Sequence, residues 1–403
     1  MTLAPYRPLL RFLVLSILFP SIGSLRFVSR HVRRSMQRPA LPLPFLGIGD
    51  KTSLMGPMDP TGPKDPTGPN PPILLFPGLG ASRLLRGTHN VYPPPMSDYM
   101  FHFKHWRDQM MKNRELHTLP FGHKQSLDLS LPFFPTAVNY YRNLLVDPNI
   151  YPIPYDFRQI DDHAYLQLFF SEVRTYIESF ERPVIFLCHS SGGLVAHSFL
   201  HFQTEAWRRR WIRFVVHVNV PFGGVAAVLE HCVREDTPIN RYIGTPMFQS
   251  LGGAVWNMPN VEVLGHSVLT VDGAAVDDYF GYFGLASVQR RYRANQHIID
   301  SFRYATGLET HVAFSTSPRP NSTLVGLDVH TLPMSRFKRR GSYADVDNET
   351  VNPFSVPPYT SIQSTMGNGD SVVSLSSLLV PRQWNDTNVF FHHLRNSEHS
   401  DVF

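Results

Sequence analysis

Cysteine is nearly missing from this chain: Cys188 and Cys232 are the only two among 403 residues. A disulfide-built scaffold is thereby excluded, and a chain of this length can bury a core without one. Cys188 lies within an apolar run and reads as buried, so no disulfide is expected. Charge is scarce as well, at 17% of residues, which suits a protein that works near lipid. Acidic residues are absent before Asp50, whereas that stretch carries Arg7, Arg11, Arg26, Arg30, Arg33, Arg34 and Arg38. The net charge of +5 comes from this leader: seven of the 37 basic residues lie in it, leaving 30 against 32 acidic ones, a net of −2. A nearly neutral body lacks the basic footprint of a nucleic-acid binder, so no nucleic-acid partner is expected.

The apolar run Phe12–Phe19 falls short of the about 20 residues that a membrane span requires. It follows Arg7 and Arg11 and precedes the small Ser21 and Gly23. This is the layout of a secretory signal. Residues 1–24 are read as a signal peptide or, uncleaved, a signal anchor. An Arg-rich organelle transit peptide is the alternative. The secretory route leads out of the cell, to a lysosome or vacuole, or to the endoplasmic reticulum. On that route the triplets beginning at Asn321, Asn348 and Asn385 are glycan acceptors.

Residues 25–72 are first basic and then rich in proline and glycine. Gly56-Pro57-Met58-Asp59-Pro60-Thr61 is nearly repeated by Gly62-Pro63-Lys64-Asp65-Pro66-Thr67. Proline at this density forbids helix and central strand, so the stretch reads as a semi-extended linker. Residues 73–403 form the folded domain.

Within that domain, Val184-Ile185-Phe186-Leu187-Cys188-His189 is an apolar strand. Ser190 and Ser191 follow at a turn, and Gly192-Gly193-Leu194 begins a helix. The pattern is close to the Gly-x-Ser-x-Gly nucleophile elbow. A serine at such a tip has a strained backbone and tolerates only small residues two places away on either side. Ser190 is flanked in this way by Cys188 and Gly192. Ser191 is flanked by His189 and Gly193, and an imidazole would crowd the turn. Ser190 is therefore the candidate nucleophile, and the backbone N–H of Ser191 a candidate oxyanion donor.

A serine needs a base, and the base an acid that orients it. Asp370, on the Gly-rich turn Gly367-Asn368-Gly369-Asp370, is the candidate acid. His399 follows the strand-like Asn388–Phe391 and is the candidate base. His392 and His393 extend that strand and are less suited to a loop beyond it. A second oxyanion donor is sought after the buried-type strand Ile73–Phe76. Leu79, within Pro77-Gly78-Leu79-Gly80, is the candidate.

In the helix after Tyr155–Arg158, Leu166, Phe169, Phe170, Val173, Ile177 and Phe180 recur at helical spacing and predict a buried face. Residues 85–140 offer no clear core strand but several exposed-looking aromatics: Tyr99, Phe101, Phe103, Trp106, Phe133 and Phe134. The run Arg336-Phe337-Lys338-Arg339-Arg340 reads as a solvated basic loop, with anionic headgroups as its alternative partner.

These pieces in this order resemble the lecithin:cholesterol acyltransferase family, which includes lysosomal phospholipase A2 and the phospholipid:diacylglycerol acyltransferases. The likeness rests on Phe76–Gly80, Pro154-Tyr155-Asp156-Phe157-Arg158, Cys188–Gly192, Pro221-Phe222-Gly223-Gly224, Gly369–Val373 and Glu398–Asp401. Cys188 stands where the family has glycine, and Ser371-Val372 where it has Gly-Thr or Asp-Thr. The resemblance implies an α/β-hydrolase, with a mostly parallel central sheet flanked by helices. It also implies two insertions: membrane contact at about 85–140 and a cap at about 225–345. It implies a triad of Ser190, Asp370 and His399, an oxyanion hole at Leu79 and Ser191, and neither metal nor cofactor. The activity implied is acyl transfer or phospholipase A action through a serine acyl-enzyme. The donor would be a glycerophospholipid, the acceptor water or a lipid alcohol such as a sterol or diacylglycerol, and the setting a membrane or lipid-particle surface. A general lipase or esterase on neutral esters is the second reading, and a catalytically inactive lipid-binding protein the third.

Overall fold

The computed structural model describes residues 71–402 except 113, 130–140, 238–239, 266–267 and 332–359. The leader, the linker up to residue 70, Phe133, Phe134, Asn348 and the basic run Arg336–Arg340 lie outside the described residues.

Twelve strands are described. In chain order they are β1 (Ile73–Phe76), β2 (Leu84–Arg86), β3 (His89–Tyr92), β4 (Ile150–Pro152), β5 (Val184–His189), β6 (Ile212–Val218), β7 (Leu269–Val271), β8 (Ala274–Ala275), β9 (Thr310–Thr316), β10 (Thr323–Thr331), β11 (Thr360–Gly367) and β12 (Val389–Arg395). Six form a central sheet in the order β12-β9-β6-β5-β1-β4. Every neighbouring pair in it is parallel. β1, and β5 as far as Cys188, are apolar because a parallel sheet is covered on both faces. Alternate residues of β1 accordingly enter different cores. Leu74 and Phe76 pack with Phe186, Phe170 and Phe199 on one face. Ile73 and Leu75 pack with Leu127, Tyr141 and Leu144 on the other. Sheet and helices make this an α/β-hydrolase fold.

Helix α1 (His163–Glu178) starts where Asp162 accepts the backbone N–H of Ala164 at 2.9 Å and of Tyr165 at 3.3 Å. Its buried face is Leu166, Phe169, Phe170, Val173 and Ile177, at helical spacing. Helix α2 (Ser191–His201) follows β5 directly and is buried along almost its whole length. Cys188 and Cys232 are both free and fully buried, and burial pushes both thiols up from their usual range. Among the described residues, no helix is long and apolar enough to cross a membrane.

Two expectations are corrected here. The span 225–345 is not one excursion, because β9 lies inside it and pairs between β6 and β12 in the central sheet. Helices from Ala226 to Ser301 precede β9, with the short β7–β8 pair among them; β10 follows. β7, β8, β10 and β11 build a separate sheet, ordered β11-β10-β7-β8. Residues 85–140 add no strand to the central sheet, as expected; the antiparallel β2–β3 hairpin there stands apart from it. The exposure expected of the aromatics is corrected in one case. Trp106 there is not exposed: it is 4% accessible, and its indole N–H donates to the Val91 carbonyl at 2.7 Å. Phe101, by contrast, is 75% exposed.

Candidate active site

The order of the central sheet places a switch point at β1. The chain leaves β1 for β4 on one side and returns to β5 on the other. In such sheets the crevice beyond the carboxyl ends of these strands is where ligands bind. The loop after β1 carries Leu79, and the turn after β5 carries Ser190.

Ser190 adopts φ 52° and ψ −135°, a region that L residues rarely occupy. The turn is held because its N–H donates to Val218 O at 3.0 Å and its carbonyl accepts from Gly193 N–H at 2.9 Å. It fits because Gly192 has no side chain: a Cβ there would run into the carbonyl oxygens of Phe76 and Pro77. Ser191 is different. Its hydroxyl donates to Asn257 Oδ1 at 3.0 Å in a buried position.

The loops after β11 and β12 bring two further side chains to Ser190. His399 Nδ1–H donates to Asp370 Oδ2 at 2.6 Å, and the Ser190 hydroxyl donates to His399 Nε2 at 2.9 Å. The carboxylate fixes the ring tautomer, since only a protonated Nδ1 can meet it. Asp370 is fully buried, and its Oδ1 accepts the N–H groups of Val372 at 3.0 Å and Val373 at 2.7 Å. The arrangement can draw a proton from Ser190 Oγ toward His399. His392 and His393 lie on β12 and bond instead to His311 at 3.0 Å and Thr316 at 2.8 Å. Asp401 is exposed.

Among the described residues, the backbone N–H groups of Leu79 and Ser191 have no hydrogen-bond acceptor. Both residues line a cavity of about 310 Å³ that also reaches Ser190 and His399. Its remaining wall is largely apolar and includes Tyr92, Trp106, Met110, Phe157, Met247 and Phe248. His231 lines the same cavity, and burial lowers its imidazole to about 4.

The Pro154–Arg158 segment braces this wall. Tyr155 O–H donates to Pro77 O at 3.0 Å, at the base of the Leu79 loop. Arg158 forms a buried ion pair with Asp156 at 2.6 Å. It also donates to Met110 O at 3.0 Å. Its own carbonyl, and that of Phe157, accept from Gly252 and Gly253, each at 2.8 Å. Sequence reasoning passed over Asn219, Asn257, Tyr141 and His189, which all hold polar bonds around the site. Asn219 had a signal: it directly follows β6, at the same carboxyl end of the sheet as Ser190. Tyr141 had none, because its partners come from distant loops.

A parallel sheet with Ser, His and Asp converging at its switch point defines the α/β-hydrolase class. A chain of the Tle4–Tli4 complex shares the fold at TM-score 0.55 and 14% identity, over 83% of this chain and 95% of that one. The model of the lecithin:cholesterol acyltransferase family matches residues 140–270. A lysosomal phospholipase A and acyltransferase from Rattus norvegicus is 24% identical over 183 residues, 42% of this chain and 44% of that protein. The Mus musculus protein of that name is 22% identical over 265 residues, 62% of this chain and 57% of its own length. A lecithin-cholesterol acyltransferase-like 1 from Arabidopsis thaliana is 33% identical over 78 residues, 19% of this chain and 17% of that protein. The chain is thus similar to the lecithin:cholesterol acyltransferase family over the segment that holds Ser190. The matches span less than two thirds of each of these curated relatives.

Proposed function

We propose that the protein is a serine acyl hydrolase or acyltransferase acting on glycerolipid esters. One observation carries the reading: the Asp370–His399–Ser190 chain, at 2.6 and 2.9 Å, opens onto an apolar cavity beside two unengaged backbone N–H groups. In this reading Ser190 Oγ attacks the ester carbonyl while His399 Nε2 takes its proton. Asp370 stabilises the imidazolium so formed. The tetrahedral oxyanion is met by Leu79 and Ser191 N–H, donors that need no reorganisation because they are already unpaired. Collapse of the intermediate expels the lipid alcohol, which takes the proton from His399, and leaves an acyl group on Ser190. A second alcohol or water then repeats the sequence in reverse.

The apolar wall suits a fatty acyl chain and keeps water sparse around the acyl-enzyme, a condition under which a lipid alcohol competes with water as acceptor. The relatives named for phospholipase A and acyltransferase activity support a phospholipid donor. We assign the roof of the cavity to two segments. One contains Phe103–Lys112, which supplies Trp106 and Met110; the other contains Thr245–Ser250, which supplies Met247 and Phe248. The exposed Phe101 is our candidate for touching a membrane surface. Passage through the secretory pathway goes with this reading, and the sequon residues Asn321 and Asn385 are both exposed.

The test is incubation of the purified protein with phosphatidylcholine labelled in both acyl chains, with and without a sterol or diacylglycerol. Release of labelled fatty acid, or its transfer to the added alcohol, is expected, and both should vanish with Ser190→Ala. No turnover of phosphatidylcholine beside rapid turnover of triacylglycerol would instead establish a neutral lipase. Tight lipid binding without any turnover would establish an inactive carrier.

A further inference from the structure

Tyr141 and His189 take no part in the mechanism above, yet they join three of the loops that form the site. The Tyr141 hydroxyl accepts the backbone N–H of Gly78 at 2.8 Å, next to Leu79. It lies 2.8 Å from His189 Nδ1, immediately before Ser190. His189 Nε2 lies 3.1 Å from the backbone carbonyl of His399. That carbonyl also accepts from Asn219 Nδ2 at 3.1 Å.

The chemistry of these groups fixes the direction of each bond. A carbonyl only accepts, so His189 carries its proton on Nε2. A neutral imidazole then presents Nδ1 as an acceptor, and Tyr141 must donate to it. The phenol oxygen is left to accept from Gly78. Burial maintains both forms: it lowers His189 to about 3, helped by the neighbouring His399, and it raises the Tyr141 phenol. Neither group changes charge over the neutral range, so the bond order is constant.

We propose that His189 and Tyr141 are positioning residues, which hold the Leu79 N–H and the His399 imidazole in register with Ser190 Oγ. The proposal rests on the roles given to Ser190, His399 and Leu79 above. Its physical need lies in where His399 sits, on the turn beyond β12, where no strand ladder holds the backbone. The main chain of His399 is tied on both sides: its N–H donates to Asp370 O at 2.8 Å, and its carbonyl is held by His189 and Asn219. The link through Tyr141 then sets the oxyanion loop relative to the same point. A displacement of about 1 Å in such groups costs on the order of 10²-fold in rate.

The experiment compares Tyr141→Phe, His189→Ala and His189→Gln with the parent, using p-nitrophenyl butyrate turnover and the rate of fluorophosphonate labelling, with folding followed by circular dichroism. Tyr141→Phe removes one oxygen and leaves the packing intact. It should lower kcat and labelling at least about 10-fold, with KM within about twofold. His189→Ala should lose about 10²-fold or more. His189→Gln places an amide N–H near the position of ring Nε2 and should recover at least tenfold of that loss. A purely structural role would instead lower the folded fraction, leave the kcat of folded enzyme unchanged and give no such recovery. If His189→Ala does not fold, Tyr141→Phe decides. Parental kcat and labelling in folded Tyr141→Phe overturn the proposal. Ser190→Ala serves as the control: retention of activity there would overturn the reading of the site itself, whereas an inactive Ser190→Ala beside a fully active Tyr141→Phe would overturn this inference alone.

Discussion

Asp370 holds His399 twice. Its carboxylate meets the ring Nδ1 at 2.6 Å, and its backbone carbonyl accepts the His399 backbone N–H at 2.8 Å. Asp370→Asn leaves the backbone bond in place but removes the charge that stabilises a protonated ring and favours the wrong tautomer. The variant should fold and lose about 10⁴-fold in kcat. Asp401→Asn, at an exposed position, should stay within about threefold of the parent. Ester turnover by both purified variants checks this, and equal rates would mean that another carboxylate orients the ring.

Ser190 and Ser191 are neighbours with opposite surroundings. Ser190→Ala should abolish fluorophosphonate labelling and lower kcat by about 10⁶-fold. Ser191→Ala should keep its labelling. It should also lower stability by about 1–3 kcal/mol, because buried Asn257 Oδ1 loses its donor. A dead Ser191→Ala beside an active Ser190→Ala would place the nucleophile one residue further on.

Gly253 stands behind Leu79. A methyl group there would run into Leu79 Cδ1. The glycine backbone cannot yield easily, since its N–H donates to Phe157 O at 2.8 Å and its carbonyl accepts from Asn257 Nδ2 at 2.7 Å. The Leu79 side chain must move instead, and the loop that carries its N–H is strained with it. Gly253→Ala should therefore lower kcat about 10- to 100-fold. Adding Leu79→Ala makes room for the new methyl and should restore most of the rate. An unimpaired Gly253→Ala enzyme would mean that the Leu79 side chain yields alone and leaves its N–H in place.

Acid should weaken the fold through its buried imidazoles. Burial depresses His189 and His217 to about 3 and His231 to about 4, against an unfolded value of 6.5. A histidine with a lowered folded pKa binds protons first in the unfolded chain. Its contribution is complete above pH 6.5 and is lost as pH falls toward 3. At pH 4.5 each such group costs about 2–3 kcal/mol. Calorimetry from pH 7.5 to 4.5 should show a steadily falling Tm, with a shallower slope in His217→Leu. A flat Tm over that range would contradict burial of these rings in neutral form.

The sequence was most legible where one pattern had one cause. The run Val184–His189 is apolar because β5 lies in the middle of a parallel sheet, and the helix-spaced residues of α1 face the core. Ser190, Asp370 and His399 could be named from chain order and turn chemistry alone. β9 was hidden because Thr310-His311-Val312-Ala313-Phe314-Ser315-Thr316 mixes polar ends with a short apolar middle, as excursion segments also do. β11 was hidden because its exposed positions include Gln363 and Thr365, which read as loop, and β10 because Gly326 and Asp328 interrupt its apolar residues. Trp106 looked exposed because its cover, the Val91 carbonyl and the packing around it, comes from a separate hairpin. Tyr141 and His189 are joined across 48 positions by a bond that no local spacing records.

β10 and β11 are paired from Thr331 against Thr360 to Thr323 against Gly367, and Asp370 follows just beyond that second end. The stretch between 332 and 359 joins the two strands at the opposite end of the ladder. The position of the acid is therefore set by the Thr323–Gly367 end of the ladder, the far end of eight paired positions from Thr331–Thr360.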